Sequence, residues 1–273
     1  MRTRRCRPWL GTVVEIEADC GAAIEAGFAA IERVHTLMSA HEPMSELSRL
    51  NRGERVRISF DTRIVLDRAL LWFAASGGLF DPALAGRIAI DRGALPIHPG
   101  QAVPERSSDL RVLRVDGSVA WLDRPACLDL GGIAKGHAVD VAVAAMQKAG
   151  ARTGLVNAGG DLFGFGRPHR IQVVEPSTRA PRLAISLDNR ALATSAGLAR
   201  AKGLSFAHLP RRSPRFASVT VEAARAIDAD ALTKIAIARH PRLVELLALA
   251  DARAFAITTA GDVIGLGAER LAA

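Results

Sequence analysis

With 273 residues and 28.9 kDa, the chain is long enough to bury a full core, as one large domain or two intimate subdomains. A hydrophobic content of 49% beside 23% charged residues excludes wholesale disorder. The net charge of +8 and pI near 10.5 raise a nucleic-acid reading, but aromatics are only 4%, Tyr is absent, and no basic stripe interleaves with stacking residues.

The arginines at positions 2, 4, 5 and 7 lead to Gly11 and a strand-like alternation from Thr12 to Ile16. No continuous apolar segment of a secretory leader or a membrane span precedes or follows, so no stable membrane insertion is expected. The default compartment is the cytoplasm, or the periplasm if the true start lies upstream. Cys6, Cys20 and Cys127 lack CxxC spacing, which argues against a zinc site or a disulfide framework. From Ala22 to Met38, Ile24, Phe28, Ile31, Val34 and Met38 recur at helical spacing. Ser45 to Asn51 reads as a short capped helical turn. Thr62 to Ala75 reads as a helix closed by Gly77-Gly78, with Phe80-Asp81-Pro82 as a turn beyond it. The proline-rich stretch 91–108 reads as a surface connection.

Leu110–Val115 and Ser118–Leu122 flank Asp116-Gly117, a hairpin signal. Ile133 to Lys148 follows as a helix closed by Gly150, then Leu155-Val156-Asn157 as a buried strand. Further strands fit 170–174, 183–187, 218–223, 254–258 and 263–266, and helices fit 229–238 and 242–250. Runs of strands mixed with scattered helices indicate an α+β fold rather than a doubly wound sheet.

The segment Asp129-Leu130-Gly131-Gly132-Ile133-Ala134-Lys135-Gly136 carries the most information. An acidic residue and two glycines run into a helix with a lysine on its first turn. A helix start offers unpaired N–H groups and a positive dipole end, which suits a phosphate or pyrophosphate. The pattern is neither a Rossmann fingerprint nor a Walker A loop. Its plainer reading is a glycine-assisted strand-to-helix turn with a solvated lysine. A second glycine corner, Asn157-Ala158-Gly159-Gly160-Asp161, follows the next strand. Asp228 and Asp230 read either as the N-terminal cap of the helix after them or as hard oxygen ligands for Mg²⁺ beside substrate phosphates.

Taken in order, these segments resemble the ApbE family of FAD:protein FMN transferases. The resemblance runs through Leu10-Gly11-Thr12, Leu37-Met38-Ser39, Ser45 to Asn51, Gly78-Leu79-Phe80-Asp81-Pro82, Asp129 to Gly136 with Asp140, Val156 to Asp161, Ala193-Thr194-Ser195-Ala196-Gly197, Ser218 to Val221, and Ala229-Asp230-Ala231-Leu232. It implies a single ApbE-like domain over 1–273, with an α+β, T-fold-related architecture of two intimate subdomains, mixed or antiparallel sheets, and a FAD cleft between them. The implied activity moves the FMN half of FAD to a Thr or Ser hydroxyl of an acceptor protein and releases AMP, with Mg²⁺. The alternatives are hydrolysis of FAD to FMN and AMP, or FAD binding without chemistry. Acceptor identity and oligomeric state are not specified, and no nucleic-acid partner is implied.

Residue by residue, the resemblance implies flavin or FAD contacts at Met38, Leu79, Phe80, Asp81, Asp129 and Lys135. It implies metal contacts at the Gly132 carbonyl and at Asp230, which also counts as catalytic, and a histidine near the acceptor hydroxyl at His208. Thr233 completes the implied metal set, but with a departure. The family pattern puts its threonine ligand where this chain has Lys234. A one-residue shift turns a helical side chain by about 100°, so Thr233 is no simple replacement. Lys234 would instead bring an ammonium toward the pyrophosphate and weaken or replace the cation. After His208 the run Leu209-Pro210-Arg211-Arg212-Ser213 is shorter and more basic than the family loop.

Overall fold

The computed structural model describes residues 2–196 and 215–267. Among these, the first half of the chain forms β1 (Thr3–Trp9), β2 (Thr12–Ala18), α1 (Gly21–Met38), α2 (Glu46–Asn51), β3 (Val56–Arg57), α3 (Phe60–Ala75), α4 (Pro82–Asp91), β4 (Leu113–Asp116) and β5 (Val119–Leu122). The second half forms α5 (Ala134–Lys148), β6 (Gly154–Ala158), β7 (Asp161–Phe165), β8 (His169–Val174), β9 (Pro181–Leu187), β10 (Arg190–Ala196), β11 (Phe216–Ala223), α6 (Ala226–Ile237), α7 (Leu243–Leu249), β12 (Arg253–Thr258) and β13 (Val263–Leu266). They divide into two compact units, one of residues 2–32, 135–196 and 215–267, the other of residues 33–134. No helix among the described residues is long and apolar enough to cross a membrane.

The first unit is built on an eight-stranded sheet of order β1-β2-β6-β7-β10-β11-β12-β13. Every neighbouring pair in it is antiparallel, as the α+β reading expects. Side chains alternate across such a sheet and cross-strand partners share a face. One face carries Leu162, Leu192, Phe255 and Ile257, packed against Val173, Ile185 and Leu187 of the β8–β9 hairpin. The register puts Asp161, Ala193, Val221 and Ala254 in one row on the opposite face. On that face α6 packs against β7, β10 and β11. Gly27 of α1 lies so close to Ile16 and Met146 that a Cβ there would stand 2.9 Å from the Ile16 Cδ1.

In the second unit, α3 buries Val65, Leu66 and Trp72 completely, beside a small antiparallel sheet of order β3-β5-β4. Three helices are capped by their own sequence. Ser45 accepts from Ser48 N, Ser59 from Thr62 N, and Asp81 from Ala83 N and Leu84 N. The Asn51 side chain clamps Leu128 through both backbone groups, at 3.0 Å to its carbonyl oxygen and 2.8 Å from its N–H. This clamp fixes the chain just ahead of Asp129.

Several expectations need correction. Phe80-Asp81-Pro82 does not simply turn but starts α4, because Asp81 caps it and Pro82 sits in its first turn. The strand expected from Leu110 begins as a 3-10 turn over Leu110–Val112. β1, β3, β7 and β10 lie outside the expected strands. The Arg-rich start is the edge strand β1, whose arginines pair with acids on its neighbours: Arg2 with Glu17 at 3.3 Å, Arg4 with Glu15, and Arg5 and Arg7 with Glu25. The charge of these four arginines is therefore matched by acidic partners at the surface.

Candidate active site

The candidate site of the first unit forms where α5 and α6 meet the helix-bearing face of the sheet. Asp230 is the fifth residue of α6 and is fully buried. Neither Asp228 nor Asp230 caps this helix. The cap position is Arg225, without a side-chain hydrogen bond, and the two aspartates lie two positions apart, so they point about 200° apart around the axis. The capping role is filled from another helix. Asp140 of α5 accepts from Ala226 N at 2.7 Å and Ile227 N at 3.0 Å. Burial, partly offset by these two N–H groups, pushes its pKa up to about 6.

Gly136 lets the two helices approach. A Cβ at this position would stand 2.2 Å from the Ala226 carbonyl oxygen, which no side chain tolerates. The close approach delivers the Gly136 N–H to Asp230 Oδ2 at 3.3 Å. One of the unpaired N–H groups of the α5 start is thus satisfied by a protein carboxylate. Lys135, in the same turn, forms an ion pair with Asp161 and lies 3.8 Å from Asp230 Oδ2. Lys234, one helical turn beyond Asp230, donates to Asp230 Oδ1. The result is a closed cluster of two carboxylates and two ammoniums.

The two carboxylates behave differently. Burial alone would raise Asp230, but Lys135, Lys234 and the Gly136 N–H outweigh it and hold the group below the ordinary aspartate range. Asp161 is raised, first by burial and then by the negative charge of Asp230, against the pull of Lys135. Exposure is graded as well. The Lys135 side chain is 28% exposed and that of Lys234 only 9%, so Lys135 is the ammonium turned more toward solvent.

Thr233 is engaged elsewhere. Its Oγ1 donates to the Asp230 carbonyl at 2.7 Å and accepts from Ser195 Oγ of β10 at 2.8 Å. The corner Gly159-Gly160 is the two-residue turn joining β6 to β7, with φ of +69° and +104°. Its glycines are required by hairpin geometry, whatever ligand lies near. That turn starts β7 on Asp161, which the sequence marks only as the end of the second glycine corner. The available signal was an acidic residue opening an otherwise apolar strand.

The other sequence-predicted residues that are described belong to the second unit. Met38 and Phe80 are buried, Leu79 is half-buried, and Gly132 is buried in the turn before α5. Asp81 is occupied in capping α4, and burial raises its pKa. Asp129 braces the first glycine corner, accepting from Gly131 N at 2.8 Å, while its own N–H donates to the Pro82 carbonyl at 2.9 Å. His208 lies outside the described residues.

The model of the ApbE family matches residues 10–267. The chain belongs to the ApbE family. Among its relatives is a FAD:protein FMN transferase of Treponema pallidum (strain Nichols), 26% identical over 255 residues, with 79% of this chain and 70% of that protein aligned. Another, from Rhodobacter capsulatus, carries the same name and is 30% identical over 233 residues, with 73% of this chain but only 43% of that longer protein aligned. Among solved structures, the ApbE protein of Thermotoga maritima superposes with a TM-score of 0.82 at 23% identity, covering 97% of each chain. The flavin transferase ApbE of Vibrio cholerae gives 0.80 at 24% identity, covering 97% of this chain and 96% of that one. These superpositions establish the ApbE fold over nearly the whole chain.

Proposed function

We propose that this ApbE-family chain is a FAD:protein FMN transferase, with FAD as substrate and a Thr or Ser hydroxyl of a second protein as acceptor. The observation that carries the reading is the buried Asp230, tied to the start of α5 by Gly136 and flanked by Lys135 and Lys234. Lys135, the ammonium turned more toward solvent at a helix start, suits a diphosphate, because it can offset charge on the ligand. The resemblance adds Met38, Leu79, Phe80, Asp81 and Asp129 as flavin or FAD contacts, and His208 as the group beside the acceptor hydroxyl.

In this reading the acceptor oxygen attacks the FMN-side phosphorus of FAD. A new P–O bond forms to the acceptor while the P–O bond to the AMP phosphate breaks. The hydroxyl proton passes to a base, for which His208 is the proposed residue, and AMP departs with the bridging oxygen. Lys135, with the more exposed ammonium, balances charge on the diphosphate as the transferred group separates.

Magnesium, implied by the resemblance, suits these side chains poorly. Mg²⁺ takes near-octahedral oxygen donors. Here Asp230 accepts hydrogen bonds on both oxygens and Thr233 Oγ1 is committed to the Asp230 carbonyl and Ser195. Asp230 and Thr233 therefore offer a divalent ion no free oxygen donor.

The test is incubation with FAD and a Ser/Thr-containing acceptor protein from the same cell, followed by intact-mass analysis. The proposal expects an acceptor heavier by one FMN phosphoester and an equal amount of AMP. Free FMN with unmodified acceptor would make the chain a FAD hydrolase, and unaltered FAD would make it a binding protein.

A further inference from the structure

We infer that this chain carries the cation of its diphosphate subsite as a side chain: the Lys234 ammonium, together with Lys135, occupies Asp230 in the manner of a divalent ion, and FAD binds there without metal. The inference rests on the FAD reading above.

Asp161 and Asp230 supply two negative charges to the cluster, and Lys135 and Lys234 supply two positive ones. A carboxylate pair that recruits a divalent cation presents excess negative charge, which this balanced cluster lacks. Lys234 is placed for the role by the helix itself, since residues four apart share one face of α6. Its ammonium is fixed on Asp230 Oδ1, while Lys135 and the Gly136 N–H flank Oδ2. A divalent ion entering here would have to displace Lys234 and leave an ammonium in a buried setting, which is unfavourable without a partner. The neighbouring hydroxyl offers little in return, because Thr233 already serves the Asp230 carbonyl and Ser195.

The experiment titrates FAD into the full chain by flavin fluorescence, once in EDTA and once in Mg²⁺. In parallel, Mn²⁺ is titrated into the protein alone and free Mn²⁺ is read by electron paramagnetic resonance. We expect equal FAD affinity in the two buffers and no loss of the free Mn²⁺ signal. Lys234→Thr should bind FAD about 10- to 100-fold more weakly in EDTA, recover in Mg²⁺, and gain a Mn²⁺ site. FAD binding that requires Mg²⁺ in the wild-type protein, or wild-type Mn²⁺ binding abolished by Asp230→Asn, overturns the inference and leaves the transferase reading standing. No FAD binding in either buffer overturns the transferase reading, and the inference with it. The wild-type FAD titrations in EDTA and in Mg²⁺ need no variant, so a misfolded Lys234→Thr protein would still leave the question decided.

Discussion

Asp230 accepts a hydrogen bond from the backbone N–H of Gly136, 94 residues away in sequence, at 3.3 Å. This single contact joins the first turn of α5 to the interior of α6. It depends on an absent side chain, because the Ala226 carbonyl occupies the space beside Gly136.

Gly136→Ala is therefore expected to push α5 and α6 apart. Overpacking of this kind typically costs about 1–3 kcal/mol, and a backbone obstacle places the effect at the upper end. Urea unfolding should show a lowered midpoint with an unchanged slope. An alanine variant as stable as the wild type would mean that the helices do not meet this closely.

Asp230→Ala removes the centre of the cluster and leaves the buried Lys234 without its hydrogen-bonded carboxylate. Breaking a buried pair from one side costs about 3–5 kcal/mol. Removing both partners, in Asp230→Leu with Lys234→Met, should restore much of that stability while FAD binding stays lost. Additive losses in the double variant would show that the two residues are not coupled.

Asp140 gives a pH signature. Burial raises its carboxyl from 3.8 to about 6, so the folded state holds this proton more tightly than the unfolded chain. Its contribution is then fully present below about pH 4 and is lost as pH rises through about 6. A shift of roughly two units corresponds to about 3 kcal/mol. Subtracting the stability curve of Asp140→Asn from that of the wild type should reveal a fall of this size between those pH values. Parallel curves would contradict the assignment.

The thiols offer a simpler check. Burial pushes the Cys127 thiol up to about 12, whereas Cys6 lies exposed on β1. A thiol reagent at neutral pH should label Cys6 rapidly and spare Cys127 until denaturant is added. Rapid labelling of Cys127 in the folded protein would show that its segment opens.

The sequence was legible where burial imposes a period. α1, α3 and α5 repeat apolar residues on one face, and β8, β9, β11, β12 and β13 fall close to their expected positions. It was silent where a partner supplies the reason. β1 buries little and is held by its ladder and its arginine–glutamate pairs, so it shows no apolar alternation. β10 is rich in alanine and is held by β7 and β11 on its two sides. The start of α6 was misplaced because its cap, Asp140, comes from α5 rather than from the preceding residues. In the candidate site, Lys135 and Asp230 stood out by residue type and spacing. Asp161 did not, because only the β7–β10 register turns it toward α6.

The most direct test of the account compares FAD binding and AMP release by the wild-type chain and by Lys135→Met. Lys135 is the more exposed ammonium of the cluster, and a charged hydrogen bond to a ligand is worth about 1.5–3 kcal/mol. The expected result is FAD affinity weakened about 10- to 100-fold, with AMP release falling at least in proportion. Unchanged affinity and AMP release in a folded Lys135→Met protein would place the diphosphate elsewhere and contradict the account.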